Sequence, residues 1–159
     1  MFADNEGLHR GSVTDGEVTL LLKPDPSQGE EFFGWPSALP DGHTVLFTVL
    51  PNTDDRGHIA ALDLASGERT VVLRGATSAR FTPTGHLVYF DDRRRALMGV
   101  RFDVSTLATL GEPVRVIESN LWTYRGGAAF DFSSNGTLAY VTLLATAPLG
   151  TSLVWVDRE

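Results

Sequence analysis

Ala38-Leu39-Pro40-Asp41-Gly42-His43-Thr44-Val45-Leu46-Phe47-Thr48 reads as a short strand, a tight turn and a second, strongly apolar strand. The glycine after Pro-Asp supplies the positive φ that such a turn demands. The phrase recurs as Arg80-Phe81-Thr82-Pro83-Thr84-Gly85-His86-Leu87-Val88-Tyr89-Phe90, and again as Asp131-Phe132-Ser133-Ser134-Asn135-Gly136-Thr137-Leu138-Ala139-Tyr140-Val141. The turn glycines lie 43 and then 51 residues apart, the longer interval taking in a loop insertion over 120–127. A period of about 40–50 residues is that of a four-stranded β unit repeated side by side.

The second half of each unit repeats as well. Ile59-Ala60-Ala61-Leu62-Asp63, Leu97-Met98-Gly99-Val100-Arg101-Phe102-Asp103 and Leu153-Val154-Trp155-Val156-Asp157 each run an apolar strand into an aspartate. At a strand end that carboxylate satisfies backbone donors of the next turn. Ser66-Gly67-Glu68 and Leu110-Gly111-Glu112 are the turns expected next, with Thr70-Val71-Val72-Leu73 and Val114-Arg115-Val116-Ile117 as fourth strands. Near the start, Asp15-Gly16-Glu17-Val18-Thr19-Leu20-Leu21-Leu22 matches Ser66-Gly67-Glu68-Arg69-Thr70-Val71-Val72-Leu73, so the chain is expected to begin and to stop inside a unit. One domain, 1–159, is predicted: a half unit at 7–24, complete units at 32–75 and 77–118, and a three-strand unit at 128–159. The fold class is all-β, with about three four-stranded antiparallel blades of a β-propeller per chain.

Composition agrees with this reading. The 159 residues suffice for one ordinary domain and a sizeable core. Hydrophobic residues at 42% and charged residues at 21% place the chain among folding sequences, away from the disordered regime. Sixteen glycines and eight prolines between short apolar runs favour many turns over long helices. A net charge of −7 disfavours nucleic acid and anionic membrane as partners. Arg93-Arg94-Arg95 after Asp91-Asp92 reads as a solvated hairpin tip with local charge pairing. Without cysteine there is no disulfide, thiolate zinc site or thiol nucleophile. No signal peptide and no transmembrane run is read in the sequence, so the cytoplasm is the default expectation.

Leu39-Pro40-Asp41-Gly42 with Phe47, together with Asp63-Leu64-Ala65-Ser66-Gly67-Glu68, resembles the TolB-like β-propeller repeat. In wording and order the chain is similar to propeller segments attached to some bacterial serine/threonine protein kinases. The resemblance runs from about Leu8 to Asp157 and implies the scaffold alone, because related propellers serve as binding platforms, sensors and covers over hydrolase sites. Neither a Gly-rich phosphate loop nor a His-Arg-Asp catalytic sequence is present, so no kinase activity is implied. The Pro-Asp-Gly turn survives only in the first copy.

The candidate sites are few. His43 and His86 follow turn glycines at matching repeat positions and read as turn residues, while His9 and His58 stand alone. Asp54-Asp55 and Asp91-Asp92 fall where solvated loops are expected, and no Gly-x-Ser-x-Gly elbow is present. No cofactor, metal ligand or catalytic residue is assigned. The stronger signal is aromatic: Phe32-Phe33-Gly34-Trp35 and Leu121-Trp122-Thr123-Tyr124-Arg125-Gly126-Gly127 lie between units, where propellers present loops near the central axis. Trp35, Trp122, Tyr124 and Arg125 therefore form a candidate partner-binding loop set, with packing between blades as the alternative.

Three blades leave sheet edges open. A homodimeric six-bladed ring is one way to close them, with Val18, Leu20 and Leu22 of one chain set against Leu153, Val154 and Val156 of the other. The expected function is a non-enzymatic binding scaffold for a protein, peptide or small polar ligand at the axis. The alternative is a propeller hydrolase or lyase with an axial carboxylate and histidine site.

Overall fold

The computed structural model describes residues 1–53, 56–118, 121, 123, 124, 126–143 and 151–156. Its strands form antiparallel sheets that follow the chain in order. The first holds β1 (Phe2–Ala3), β2 (Leu8–Gly11) and β3 (Val18–Leu22). The second holds β4 (Glu30–Ala38), β5 (Thr44–Pro51), β6 (His58–Asp63) and β7 (Arg69–Arg74), entered through a 3₁₀ turn at Pro26–Gln28. The third holds β8 (Ala76–Phe81), β9 (His86–Asp91), β10 (Ala96–Asp103) and β11 (Ala108–Ile117). A two-stranded ribbon, β12 (Thr123–Tyr124) and β13 (Gly127–Ala128), leads to a last sheet of β14 (Phe130–Phe132), β15 (Leu138–Leu143) and β16 (Thr151–Val156). Among the described residues no helix is long and apolar enough to cross a membrane.

The sheets stack face against face, and the period of two along each strand shows how. On β5, Val45, Phe47 and Val49 pack toward the first sheet with Leu8 and Phe33, while Leu46 points the other way, toward Leu87 and Met98. On β9, Leu87 and Tyr89 face the second sheet and Val88 and Phe90 face Leu121, Phe130 and Leu138. Each central strand is buried on both sides, which is why Val45-Leu46-Phe47 and Leu87-Val88-Tyr89-Phe90 are continuous apolar runs. Each such side chain contributes about 1.5–3 kcal/mol by leaving water. The outer strands have one wet face and keep Val71, Val114 and Val116 partly exposed.

The turns use two of the three predicted aspartates, and the third, Asp157, lies outside the described residues. Asp63 Oδ1 accepts from the backbone N–H of Ala65 (2.9 Å) and Ser66 (2.7 Å), and Asp103 Oδ1 from that of Ser105 (2.9 Å). After Asp103 the turn falls earlier than expected, however. β11 starts at Ala108, and Leu107, at φ 55°, stands where Gly67 stands in the previous unit. Gly111 lies instead in a bulge of β11, within the register shift between Gly99–Val114 and Arg101–Leu110. Asp103 closes the turn with two backbone N–H bonds and the Ser105 hydroxyl, and these bonds hold a left-handed leucine that sequence reasoning would not place there.

Two further expectations change. Phe32, Phe33 and Trp35 were expected in a connecting loop, yet all belong to β4, because the segment pairs with β5 through Phe32–Leu50 and Phe33–Val49. Val18–Leu22 was expected as a spare strand. It pairs with β2, which pairs with β1, so β3 is the outer strand of its own sheet.

Candidate functional site

The innermost strands β4 and β8 carry the same irregularity at the same repeat position. In β4, Trp35 and Pro36 together oppose Phe47, between the pairs Gly34–Thr48 and Ser37–Leu46. In β8, Ser78 and Ala79 together oppose Tyr89, between Thr77–Phe90 and Arg80–Val88. Trp35 has φ 50° and Ser78 φ 54°, left-handed values that cost a non-glycine residue about 1–3 kcal/mol. Bulges of this kind re-aim side chains and cluster beside binding sites.

Polar bonds tie the two bulges to their neighbours. Ser78 N donates to Thr48 Oγ1 at 2.9 Å, with Thr48 fully buried. Thr77 Oγ1 donates to Gly126 O at 2.7 Å. Arg80 Nη1 donates to Trp35 O at 3.3 Å and to Ala79 O at 3.1 Å, and its Nε lies 3.5 Å from Asp131 Oδ1. Burial pulls the Arg80 guanidinium below its ordinary pKa, and Asp131 opposes that shift. One arginine thus bridges three successive sheets at their inner edge. The buried Ser78 hydroxyl has no hydrogen-bond partner among the described residues.

The aromatic residues gather on this scaffold. The Trp35 indole lies against Gly127, where any Cβ would overlap indole Cε2 and Cζ2. Phe32 meets Trp35 edge-on, with centroids 6.1 Å apart. Tyr124, 58% exposed, comes from the ribbon and shares with Trp35, Phe32, Gly34, Pro36 and Ala3 the lining of a cavity of about 190 Å³. Trp35 and Tyr124, 89 positions apart, are therefore brought together. Trp122 and Arg125 lie outside the described residues. Ala3 and Pro36 are lining residues that sequence reasoning missed, and nothing in Phe2-Ala3 marks a strand packed on β4.

The histidines are engaged locally. His43 Nδ1 is 3.1 Å from Asp63 Oδ2, and His86 Nδ1 is 3.1 Å from Thr84 Oγ1. His9 is buried, 2.9 Å from Asp4 Oδ1 and stacked on Phe2. His58 is held below its ordinary pKa by burial and by Arg74 and Arg69. Among the described residues no three metal-ligating side chains converge. The arginine run pairs as expected, Arg94 with Asp91 at 2.6 Å and Arg95 with Asp92 at 3.5 Å. Asp91 departs from the solvated loop residue expected of it: at 8% exposure it is buried, accepting the Arg94 backbone N–H at 2.9 Å. Burial pushes its carboxyl up, but the bonds to Arg94 outweigh that and hold it below the usual range. Asp54 and Asp55 lie outside the described residues.

No family model matches the chain. No curated protein matches it either. Among solved structures, TolB from Acinetobacter baumannii is similar over 94% of this chain and 34% of its own, with a TM-score of 0.63 and 20% identity. The fold is that of a β-propeller. The calcium-binding protein regucalcin from Agrobacterium tumefaciens is similar over 89% of this chain and 48% of its own, with a TM-score of 0.62 and 19% identity. The chain thus spans about a third of one propeller's length and about half of the other's. Its sheets are blades, with β4 and β8 as the inner strands of two of them.

Proposed function

We propose that the chain is a non-enzymatic binding scaffold whose inner-strand cavity, lined by Trp35 and Tyr124, seats one aromatic or large apolar side chain of a peptide or protein. The observation that carries this reading is the convergence of those two rings, from distant elements, on one cavity of about 190 Å³. That volume is below the roughly 300 Å³ at which small-molecule sites begin, and it suits a single anchoring side chain. Tyr and Trp are the residues that dominate binding hot spots, and their rigidity lowers the ordering cost. The local partners of His9, His43 and His86 support a scaffold over an enzyme, because each ring is used to pin a turn or strand.

Selection from a random peptide library should return sequences enriched in an aromatic anchor. Their affinity should fall about tenfold or more with Tyr124→Ala, the size of a hot-spot loss. Tyr124 is exposed, so the substitution leaves the fold intact. Peptides that bind the variant as tightly as the parent would remove the cavity from consideration.

A further inference from the structure

A second, larger cavity of about 780 Å³ opens between the blades β4–β7 and β8–β11, away from the aromatic one. It lies where the β5–β6 and β9–β10 connections meet the segments entering β4 and β8. Backbone bonds fix its rim: Gly75 N donates to Gly57 O at 3.0 Å and Asn52 N to Gly29 O at 2.9 Å. Arg56, Arg74, Arg93 and Arg94 all line it, four of only thirteen cationic side chains in a chain of net charge −7. His58 lines it too.

The two carboxylates among its described lining residues, Glu30 and Asp91, are already occupied. Glu30, buried, is 2.6 Å from Arg69 Nη1 and accepts the Asp25 N–H at 3.0 Å. Asp91 holds Arg94 through both its side chain and its backbone. Arg56, Arg74 and Arg93 have no carboxylate partner among the described residues, unlike Arg95 and Arg115, which pair with Asp92 and Glu118. Three guanidiniums without a carboxylate partner among the described residues, set around one concavity, concentrate positive potential against the sign of the whole molecule. Burial, and after it Arg74 and Arg69, hold the His58 imidazole below its ordinary pKa, with Glu30 opposing them.

We propose that this cavity binds a small molecule carrying a multivalent oxyanion, a phosphate or polycarboxylate group, clamped by Arg56, Arg74 and Arg93. The guanidinium fork matches either oxyanion through paired N–H bonds. The volume lies within the roughly 300–1,000 Å³ of small-molecule sites, leaving room for an organic portion beside the anion. His58 lines the same cavity and offers a ring N–H to the anion.

The test is calorimetric titration of the 159-residue chain with inorganic pyrophosphate and, separately, with citrate, at fixed ionic strength. Saturable one-to-one binding of either is expected, weakened about fivefold or more in Arg74→Gln/Arg93→Gln and unchanged in Arg10→Gln, an exposed control outside the cavity lining. Tighter pyrophosphate binding assigns a phosphate ligand, and tighter citrate binding a carboxylate. Arg56→Gln gives an independent single-site reading should the double variant fold poorly. In nuclear magnetic resonance titration, pyrophosphate should raise the His58 pKa by screening Arg74 and Arg69. No saturable binding of either anion, a smaller loss in the variants, or an equal loss in the control would overturn the proposal. Tyr124→Ala should leave this binding untouched, so the two cavities are tested apart.

Discussion

Gly127 shows how one residue can decide where an aromatic ring lies. The Trp35 indole occupies the space a Cβ would need, and the Ser78 hydroxyl crowds the same point. Gly127→Ala should therefore push Trp35 out of place, costing about 1–3 kcal/mol by overpacking and opening the 190 Å³ cavity. Urea denaturation measures the first effect and tryptophan emission the second; a variant with unchanged stability and emission would mean that the indole packs elsewhere. In the sequence Gly126-Gly127 signals only a bend, because the ring that needs the space is 92 positions away. Leu107 is a similar case, since its left-handed conformation is imposed by the hydrogen bonds of Asp103 and Gly111 was the more natural candidate for the turn.

At the scale of the hairpin, one geometry is reached by different side chains. Asp41 Oδ1 accepts the N–H groups of His43 (3.0 Å) and Thr44 (2.9 Å). In the next unit Thr82 Oγ1 accepts from His86 N at 3.2 Å, and in the last Ser133 Oγ accepts from Thr137 N at 3.0 Å, with Asn135 bonded to Ser133 and Thr137. The outer turns use aspartate twice. The Asp63 carboxyl is held below its ordinary pKa by the Ser66 and Ala65 N–H groups and the Ser66 hydroxyl, and that of Asp103 by the Ser105 hydroxyl and N–H. Because the folded value is the lower one, this stabilisation is complete above the ordinary carboxylate range and fades as pH falls through the depressed values. Denaturation midpoints between pH 7 and about pH 3 should therefore decline, and Asp63→Ala/Asp103→Ala should flatten the decline while lowering the midpoint at neutral pH. An equally steep decline in the double variant would assign acid sensitivity to other groups. The capping role of both aspartates was legible beforehand, because a carboxylate at a strand end bonds to backbone within its own few residues, but the place of the turn after Asp103 was not, since Gly111 and not Leu107 carries the turn signal.

At the scale of the molecule, the last blade contributes β14, β15 and β16, and the outer edge of β16 is unpaired among the described residues. Joining it to β3 of another copy would run two three-stranded sheets together rather than complete a four-stranded blade, since β3 is already paired with β2. We nevertheless expect the 159-residue chain to associate through open edges and the exposed Val18 and Leu20, giving a species of about 35 kDa, twice 17.3 kDa. Sedimentation that finds only the 17.3 kDa species at every concentration removes that expectation. The repeat, the all-β class and the capping role of Asp63 and Asp103 were determined by the sequence alone, because each rests on contacts within a few residues or on a period of two that any strand must obey. Only the tertiary structure decided that Trp35 lies in a bulge of an inner strand, that Tyr124 meets it across a cavity, and that arginines from separate loops face one concavity. Those arrangements depend on how blades stack, and stacking joins residues that the chain keeps far apart.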